Sequence, residues 1–271
     1  MPASRPSSLG TALITGASSG IGATYADRLA RRGYDLLLVA RDQQRLAALA
    51  DRLSAETGVR TTVLAADLTR PADRLRVEEA LHHDSSISLL LNNAGMAVNG
   101  SLVEADIDAV ETMISLNVTA PTRLAAAAAK AFSARGAGTI VNIASVLALA
   151  PELFSGSYSG TKAYLLNLSL SMQQQLAPLG VRVQAVLPGA TRTEIWDRSG
   201  ASVDALPAEM LMEVDDLVDA ALAGLDMGEA VTIPPLHALD GWSRMDALRR
   251  SLAPQLSLRL PAERYRVAQN A

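Results

Sequence analysis

The chain has 271 residues, 49% of them hydrophobic and 19% charged, far from the composition of disordered chains and long enough for one large domain or two. Twenty-four Lys and Arg against 28 Asp and Glu leave a formal charge of -4, so no global positive field favours nucleic acid and no such partner is expected. The absence of cysteine excludes disulfides, thiolate metal sites and thiol chemistry, and His82, His83 and His237 have no metal-ligand spacing.

The opening MPASRPSSLG carries no apolar run before Thr11, so no secretory signal is expected and a cytoplasmic location follows. Short apolar runs then predict seven strands: Thr11–Thr15, Tyr34–Arg41, Val59–Ala66, Ile87–Leu91, Gly138–Ala144, Val181–Leu187 and Ala230–Ile233. Their unbroken apolarity, as in LLLVA, suits strands covered on both faces. Helical periodicity predicts helices at Ile21–Arg32, Gln43–Thr57, Ala72–His82, Ile107–Ala134, Tyr158–Leu179 and Asp215–Leu225. Strand and helix alternate, which gives an α/β fold with a doubly wound parallel sheet of about seven strands and helices on both faces. The uncharged stretch Ala163–Val181 has the length of a membrane span but carries Asn167, three Gln and Pro178, and reads as a buried soluble helix. No repeat or flexible linker divides the chain. Residues 9–240 are read as one catalytic domain and 241–271 as a helical extension that is not an independent domain.

The first strand runs through Thr15-Gly16-Ala17-Ser18-Ser19-Gly20-Ile21-Gly22 into a helix. Glycines there permit a tight turn and close approach of backbone N–H groups to a pyrophosphate, while the helix N-terminus adds partial positive charge. The spacing departs from G-x-G-x-x-G, so the general dinucleotide fingerprint is only partly met. At the end of the second strand, where an acid would bind a free ribose 2′-hydroxyl, the sequence has Ala40 and then Arg41. That charge favours a 2′-phosphate, hence NADP(H) preferred over NAD(H). Asp42 is read as the cap of the next helix. Tyr158 and Lys162 share one helix face, and the ammonium is expected to lower the phenol's pKa toward the working pH.

TGASSGIG (15–22), Asp67, NNAG (92–95), Asn117, Ser145, Tyr158 with Lys162, and PGATRT (188–193) together resemble the short-chain dehydrogenases/reductases, over about Leu9 to Pro235. The resemblance implies a Rossmann-type fold and an oxidoreductase acting on carbonyl or alcohol groups. It implies that Tyr158 moves the proton, that Ser145 hydrogen-bonds the substrate oxygen, and that Lys162 lowers the Tyr pKa and binds the nicotinamide ribose. Asn117 would complete the set from an interrupted helix. Cofactor contacts would come from Gly16, Ser18, Ser19, Gly20, Ile21, Gly22, Arg41, Asp67, Leu68, Asn93, Ala94, Gly95, Tyr158, Lys162, Pro188, Gly189, Thr191 and Thr193. Asn92 would brace the central strands.

A small, apolar carbonyl or alcohol substrate is expected, with reduction as the direction. Met96, Val98, Leu147, Leu149, Leu153, Phe154, Ile195, Trp196, Met210, Leu211 and Met212 are the pocket candidates. Residues 195–212 are expected to form a mobile lid. A non-catalytic NADP-binding sensor or scaffold and a 3-oxoacyl carrier-protein reductase are the alternatives, and the acidic net charge does not favour an acidic carrier. The alanine run 123–130 suits either tight internal packing or a dimer face, and a homodimer or homotetramer is expected. Residues 242–271 hold six Arg against one Asp and one Glu. There, packing on the same domain or on a sister subunit is preferred to a peripheral membrane contact, because Pro254 breaks the amphipathic face.

Overall fold

A computed structural model describes residues 7–196 and 206–265. The seven apolar runs form one parallel sheet: β1 Thr11–Thr15, β2 Asp35–Ala40, β3 Thr61–Ala65, β4 Ile87–Asn92, β5 Gly138–Ile143, β6 Val181–Val186 and β7 Val231–Thr232. Their order is β3-β2-β1-β4-β5-β6-β7, with Thr15 opposite Val39 and Ile14 opposite Leu91. The chain winds outward from β1 in one direction and from β4 in the other. This leaves a crevice at the carboxyl ends of β1 and β4, where open sheets of this kind bind ligands.

The helices are α1 Gly20–Arg31, α2 Gln43–Thr57, α3 Pro71–His83, α4 Ile107–Ile114, α5 Ala120–Arg135, α6 Gly156–Leu176, α7 Val214–Asp226 and α8 Asp240–Ser251. One apolar core packs α1, α2 and α7 on one face of the sheet, and another packs α3, α5 and α6 on the other. Within α5, Ala125, Ala127 and Ala128 are buried while Ala126 is exposed, and Arg123 pairs with Glu78 of α3. Gly180 has a positive φ and lies so near Gly136 that an added Cβ would stand 2.1 Å from the Gly136 carbonyl oxygen, a position no other residue fits.

Two expectations are corrected. Strand β3 is an edge, with Thr62 and Val63 exposed, so its apolarity does not mean cover on both faces. The long helix expected over 107–134 is interrupted: a π-helical stretch, Ser115–Thr119, separates α4 from α5. Periodicity misses the interruption because the buried positions Val110, Met113, Asn117, Ala120, Leu124 and Ala128 keep three- and four-residue spacings straight through it. His82 and His83 sit at the carboxyl end of α3. Among the described residues there is no metal-binding cluster and no helix long and apolar enough to cross a membrane.

The chain divides into two compact units, residues 1–235 and 236–271. In the second, α8 ends at Ser251 and a short turn carries Pro254. Asp246 accepts hydrogen bonds from Arg249 and Arg250, while Leu248, Leu256, Leu258 and Leu260 are exposed.

Candidate active site

The Gly-rich turn closes directly behind β1. Gly16 and Gly20 have positive φ, and a Cβ on Gly22 would stand 2.3 Å from the Gly16 oxygen and 2.6 Å from Asn93 Nδ2. Gly16 and Gly22 are therefore stacked on NNAG with no room there for side chains. Thr15 ties the two together: its hydroxyl donates to the Leu91 carbonyl at 3.1 Å and accepts from the backbone of Asn93 and Ala94 at 3.0 and 3.1 Å. Asn93 Nδ2 donates to the Thr15 and Gly16 carbonyls. Ser18 and Ser19 lie on the turn with Ser19 at the N-cap of α1, Ile21 packs on the core, and the first turn of α1 carries no acid. A positively polarised helix start with no acid in its first turn, beside a glycine turn pressed close on its neighbours, fits a dinucleotide diphosphate.

At the end of β2, Ala40 is buried and Arg41 is exposed, with no ion pair among the described residues. Asp42 caps α2 as expected, accepting from Arg45 N at 2.9 Å. Asp67 follows β3. Burial opposes its ionisation, but hydrogen bonds from Thr69 and the charges of Arg41 and Arg70 outweigh that and hold its pKa below the usual carboxylate range. Leu68 is buried, its carbonyl accepting from Arg74.

Asn117 lies in the π-helical stretch and is buried. Its amide accepts from Met96 N at 3.0 Å and donates to Met96 O at 2.8 Å and to Thr161 Oγ1 at 3.1 Å. Thr161 Oγ1 donates to the Tyr158 carbonyl at 2.7 Å. Gly95 stands between them, since a Cβ there would be 3.2 Å from Asn117 Oδ1 and 3.6 Å from Lys162 Nζ. Asn92 donates to Asn142 at 2.9 Å across the β4–β5 pair, the bracing position expected for it.

Lys162 Nζ donates to the Ile143 carbonyl at 2.9 Å and lies 5.6 Å from the centre of the Tyr158 ring. Ser145 is buried, accepts from Leu147 N and donates toward the Pro188 carbonyl at 3.5 Å. The pKa expectation is overturned here. Burial pushes the Tyr158 phenol up to about 12, with only a hydrogen bond from Ser145 pulling the other way. Burial also brings the Lys162 ammonium down to about 8. Both groups are driven toward their neutral forms, because the site takes them out of water before any partner is counted.

Val146 N donates to the Pro188 carbonyl, Gly189 faces Pro235, and Thr191 is buried with its hydroxyl on the Gly189 carbonyl. Thr193 approaches Gly20, whose added Cβ would be 3.4 Å from Thr193 Cγ2. Of the pocket candidates, Met96, Val98, Leu147 and Phe154 cluster with Tyr158, and the Phe154 ring meets the Tyr158 ring edge-on at 5.6 Å. Leu149, Leu153 and Met210 are exposed. Leu211 and Met212 follow the short turn Ala208–Met210, and Met212 bridges to Thr191. Trp196 Nε1 donates to the Thr191 carbonyl, and the central part of the expected lid, 197–205, lies outside the described residues. Beside Phe154, a cavity of about 730 Å³ is lined by Asn99 to Leu102 and Phe154 to Ser157. Sequence reading missed its polar members and the role of Thr15. A lone polar residue ending an apolar strand was the available signal for Thr15.

The short chain dehydrogenase family profile matches residues 10–204. The structure is similar, at 55% identity and a TM-score of 0.92, to a short-chain dehydrogenase from Sphingobium yanoikuyae in complex with NADPH, covering 95% of this chain and 100% of that one. It is also similar to the bulky-bulky ketone specific alcohol dehydrogenase from Comamonas testosteroni, at 49% identity and a TM-score of 0.87, covering 94% and 98%. A very-long-chain 3-oxoacyl-CoA reductase from Ajellomyces capsulatus is 31% identical over 236 residues, 86% of this chain and 68% of that one. With the glycine turn, the buried Tyr158 and Lys162 and a profile match across most of the first unit, the chain belongs to the short-chain dehydrogenases, oxidoreductases that act on C=O and CH–OH groups.

Proposed function

We propose that the chain is an NADP(H)-preferring carbonyl reductase of ketones that carry large apolar groups. The observation that carries the cofactor preference is the exposed Arg41 at the end of β2, next to Ala40 where a 2′-hydroxyl reader would need an acid. The relative crystallised with NADPH supports the same reading. Gly16 to Gly22 and the start of α1 would hold the diphosphate, Arg41 the 2′-phosphate, Asp67 and Leu68 the adenine. Asn93 to Gly95 would line the adenosine side, and Pro188, Gly189, Thr191 and Thr193 the nicotinamide end. When bound, the nicotinamide exchanges a hydride with the substrate carbon.

The protein's own part is to place the carbonyl and supply the proton. Tyr158, kept protonated by burial, donates its hydroxyl proton to the substrate oxygen, and Ser145 donates a hydrogen bond to the same atom. Lys162 would hold the ribose and, as an ammonium, offset the negative charge left on the phenolate once the proton has passed to the substrate oxygen. Burial holds the tyrosine in its phenol form, the protonation state from which carbonyl reduction starts, and this supports reduction as the working direction. Phe154, Leu147 and Val98 around it suit an apolar substituent, the adjoining cavity of about 730 Å³ has the size for a large one, and similarity to the bulky-bulky ketone specific enzyme supports the same reading.

A second reading, reduction of a 3-oxoacyl thioester, draws on the 3-oxoacyl-CoA reductase relative. The sensor reading loses its ground with membership of an oxidoreductase family. Residues 241–271 are taken as an extension of the catalytic domain, and a cytoplasmic homo-oligomer as the working form. The test is NADPH consumption across diaryl, aryl alkyl and small aliphatic ketones and a 3-oxoacyl-CoA, with Tyr158→Phe as control. The bulky ketones should turn over fastest, and Tyr158→Phe should lose about 10²- to 10⁴-fold. Preference for the thioester would replace the ketone reading, and turnover surviving in Tyr158→Phe would remove the mechanism.

A further inference from the structure

The segment 188–194 leaves the end of β6 yet touches elements on the far side of the sheet. Thr193 lies against Gly20 at the start of α1. Glu194 receives Arg45 from the first turn of α2, with Arg45 Nη1 at 3.0 Å from both carboxylate oxygens. In the order β2-β1-β4-β5-β6, the segment therefore crosses the carboxyl edges of β5, β4 and β1. It passes over the β1–β4 crevice assigned to the dinucleotide.

The lengths fit. Three strand spacings are about 14 Å, and six extended residue steps reach about 20 Å, so the strap has little slack. At its root it is fixed. Thr191 bridges to Met212, Arg192 N donates to the Met212 carbonyl at 3.1 Å, and the Arg192 side chain pairs with Glu213 at 2.9 Å. At its tip the attachment to α2 is electrostatic. Arg45 also lies 3.6 Å from Asp42, so its guanidinium sits between the cap carboxylate of α2 and the Glu194 carboxylate of the strap.

We propose that Arg45 and Glu194 form a latch that closes the 188–194 strap over the bound dinucleotide and sets the rate at which it leaves. The proposal rests on the dinucleotide reading above. Both residues act on the cofactor through the strap, so they are positioning residues. Because the pair is partly exposed, its grip is modest, worth about a two- to five-fold change in release rate, and weakens with salt.

The experiment is stopped-flow release of NADPH and of NADH from the wild-type protein, Glu194→Gln, Arg45→Gln and the double variant, chased with excess oxidised nucleotide. Each single variant should release both nucleotides about two- to five-fold faster. The double should be no faster than the faster single, and added salt should speed the wild type toward the double. Unchanged rates, or single effects that multiply in the double, would overturn the latch. An Arg45→Gln effect confined to NADPH would also overturn it, making Arg45 a phosphate ligand instead. If the wild type binds neither nucleotide, the dinucleotide reading falls and the latch with it, whereas binding with unaltered release removes the latch alone.

Discussion

Replacing Asn117 by Ala removes three hydrogen bonds from one buried point and shows how far the site depends on them. The amide satisfies both the N–H and the C=O of Met96 and contacts Thr161 Oγ1. Thr161 keeps its own donation to the Tyr158 carbonyl, so the stranded groups are the two on the Met96 backbone. Each costs about 1–3 kcal/mol when left buried and unpaired. Met96 is only half-buried and alanine is the better helix former by about 0.5 kcal/mol, which brings the expected loss to about 2–4 kcal/mol. A domain with a typical stability of about 5–15 kcal/mol stays folded at that cost.

Activity should fall further than stability. Gly95, next to Met96 in the chain, lies beside Lys162 Nζ, and about 1 Å of misplacement there is worth about 10² in rate. Urea denaturation gives the first number and steady-state reduction of a bulky ketone with NADPH the second. A stability loss under about 1 kcal/mol would refute the hydrogen-bond accounting. A full stability loss with wild-type kcat would make Asn117 a scaffold residue with no bearing on the site.

Arg41→Asp should raise the KM for NADPH by about 10- to 100-fold, the worth of one or two charge-assisted hydrogen bonds, and change that for NADH by less than about three-fold; equal losses for both would remove Arg41 from cofactor choice. The pH profile follows from the buried pair. Both Tyr158 and Lys162 are protonated below about 8 and Lys162 loses its proton above it, so kcat/KM for reduction should be flat from the acid side to about pH 8 and then fall. Alcohol oxidation needs the phenolate and should still be rising there. A reduction rate that climbs through pH 8 would contradict these directions.

Much of this arrangement was legible in the chain because it is local. The strands are contiguous apolar runs, α2 starts behind its Asp42 cap, and the glycine turn is one stretch between β1 and α1. Tyr158 and Lys162 share a helical face by spacing alone. What was not legible is what only the folded chain brings together. Glu194 meets a residue 149 positions earlier in the sequence, and nothing in the composition near either announces the other. The π-helical stretch at Ser115–Thr119 leaves the apolar rhythm of 107–134 almost unchanged.

The tyrosine is the sharpest instance. Spacing establishes that an ammonium lies near the phenol, and from that alone the phenol's pKa should fall. It says nothing about how dry the site is, and dryness here acts on both groups. Lys162 is drawn toward neutrality by the same burial that raises Tyr158, so it cannot give the phenolate the full support of a fixed cation. The contact that still lowers the phenol's pKa is the Ser145 hydrogen bond. This makes Ser145 more than a substrate-oxygen ligand. Ser145→Ala should therefore lower the rate of alcohol oxidation and also move the rise of its pH profile to higher pH, because the phenolate becomes harder to form. A lower rate with an unmoved profile, measured across pH with one alcohol, would show that Ser145 acts on the substrate oxygen alone.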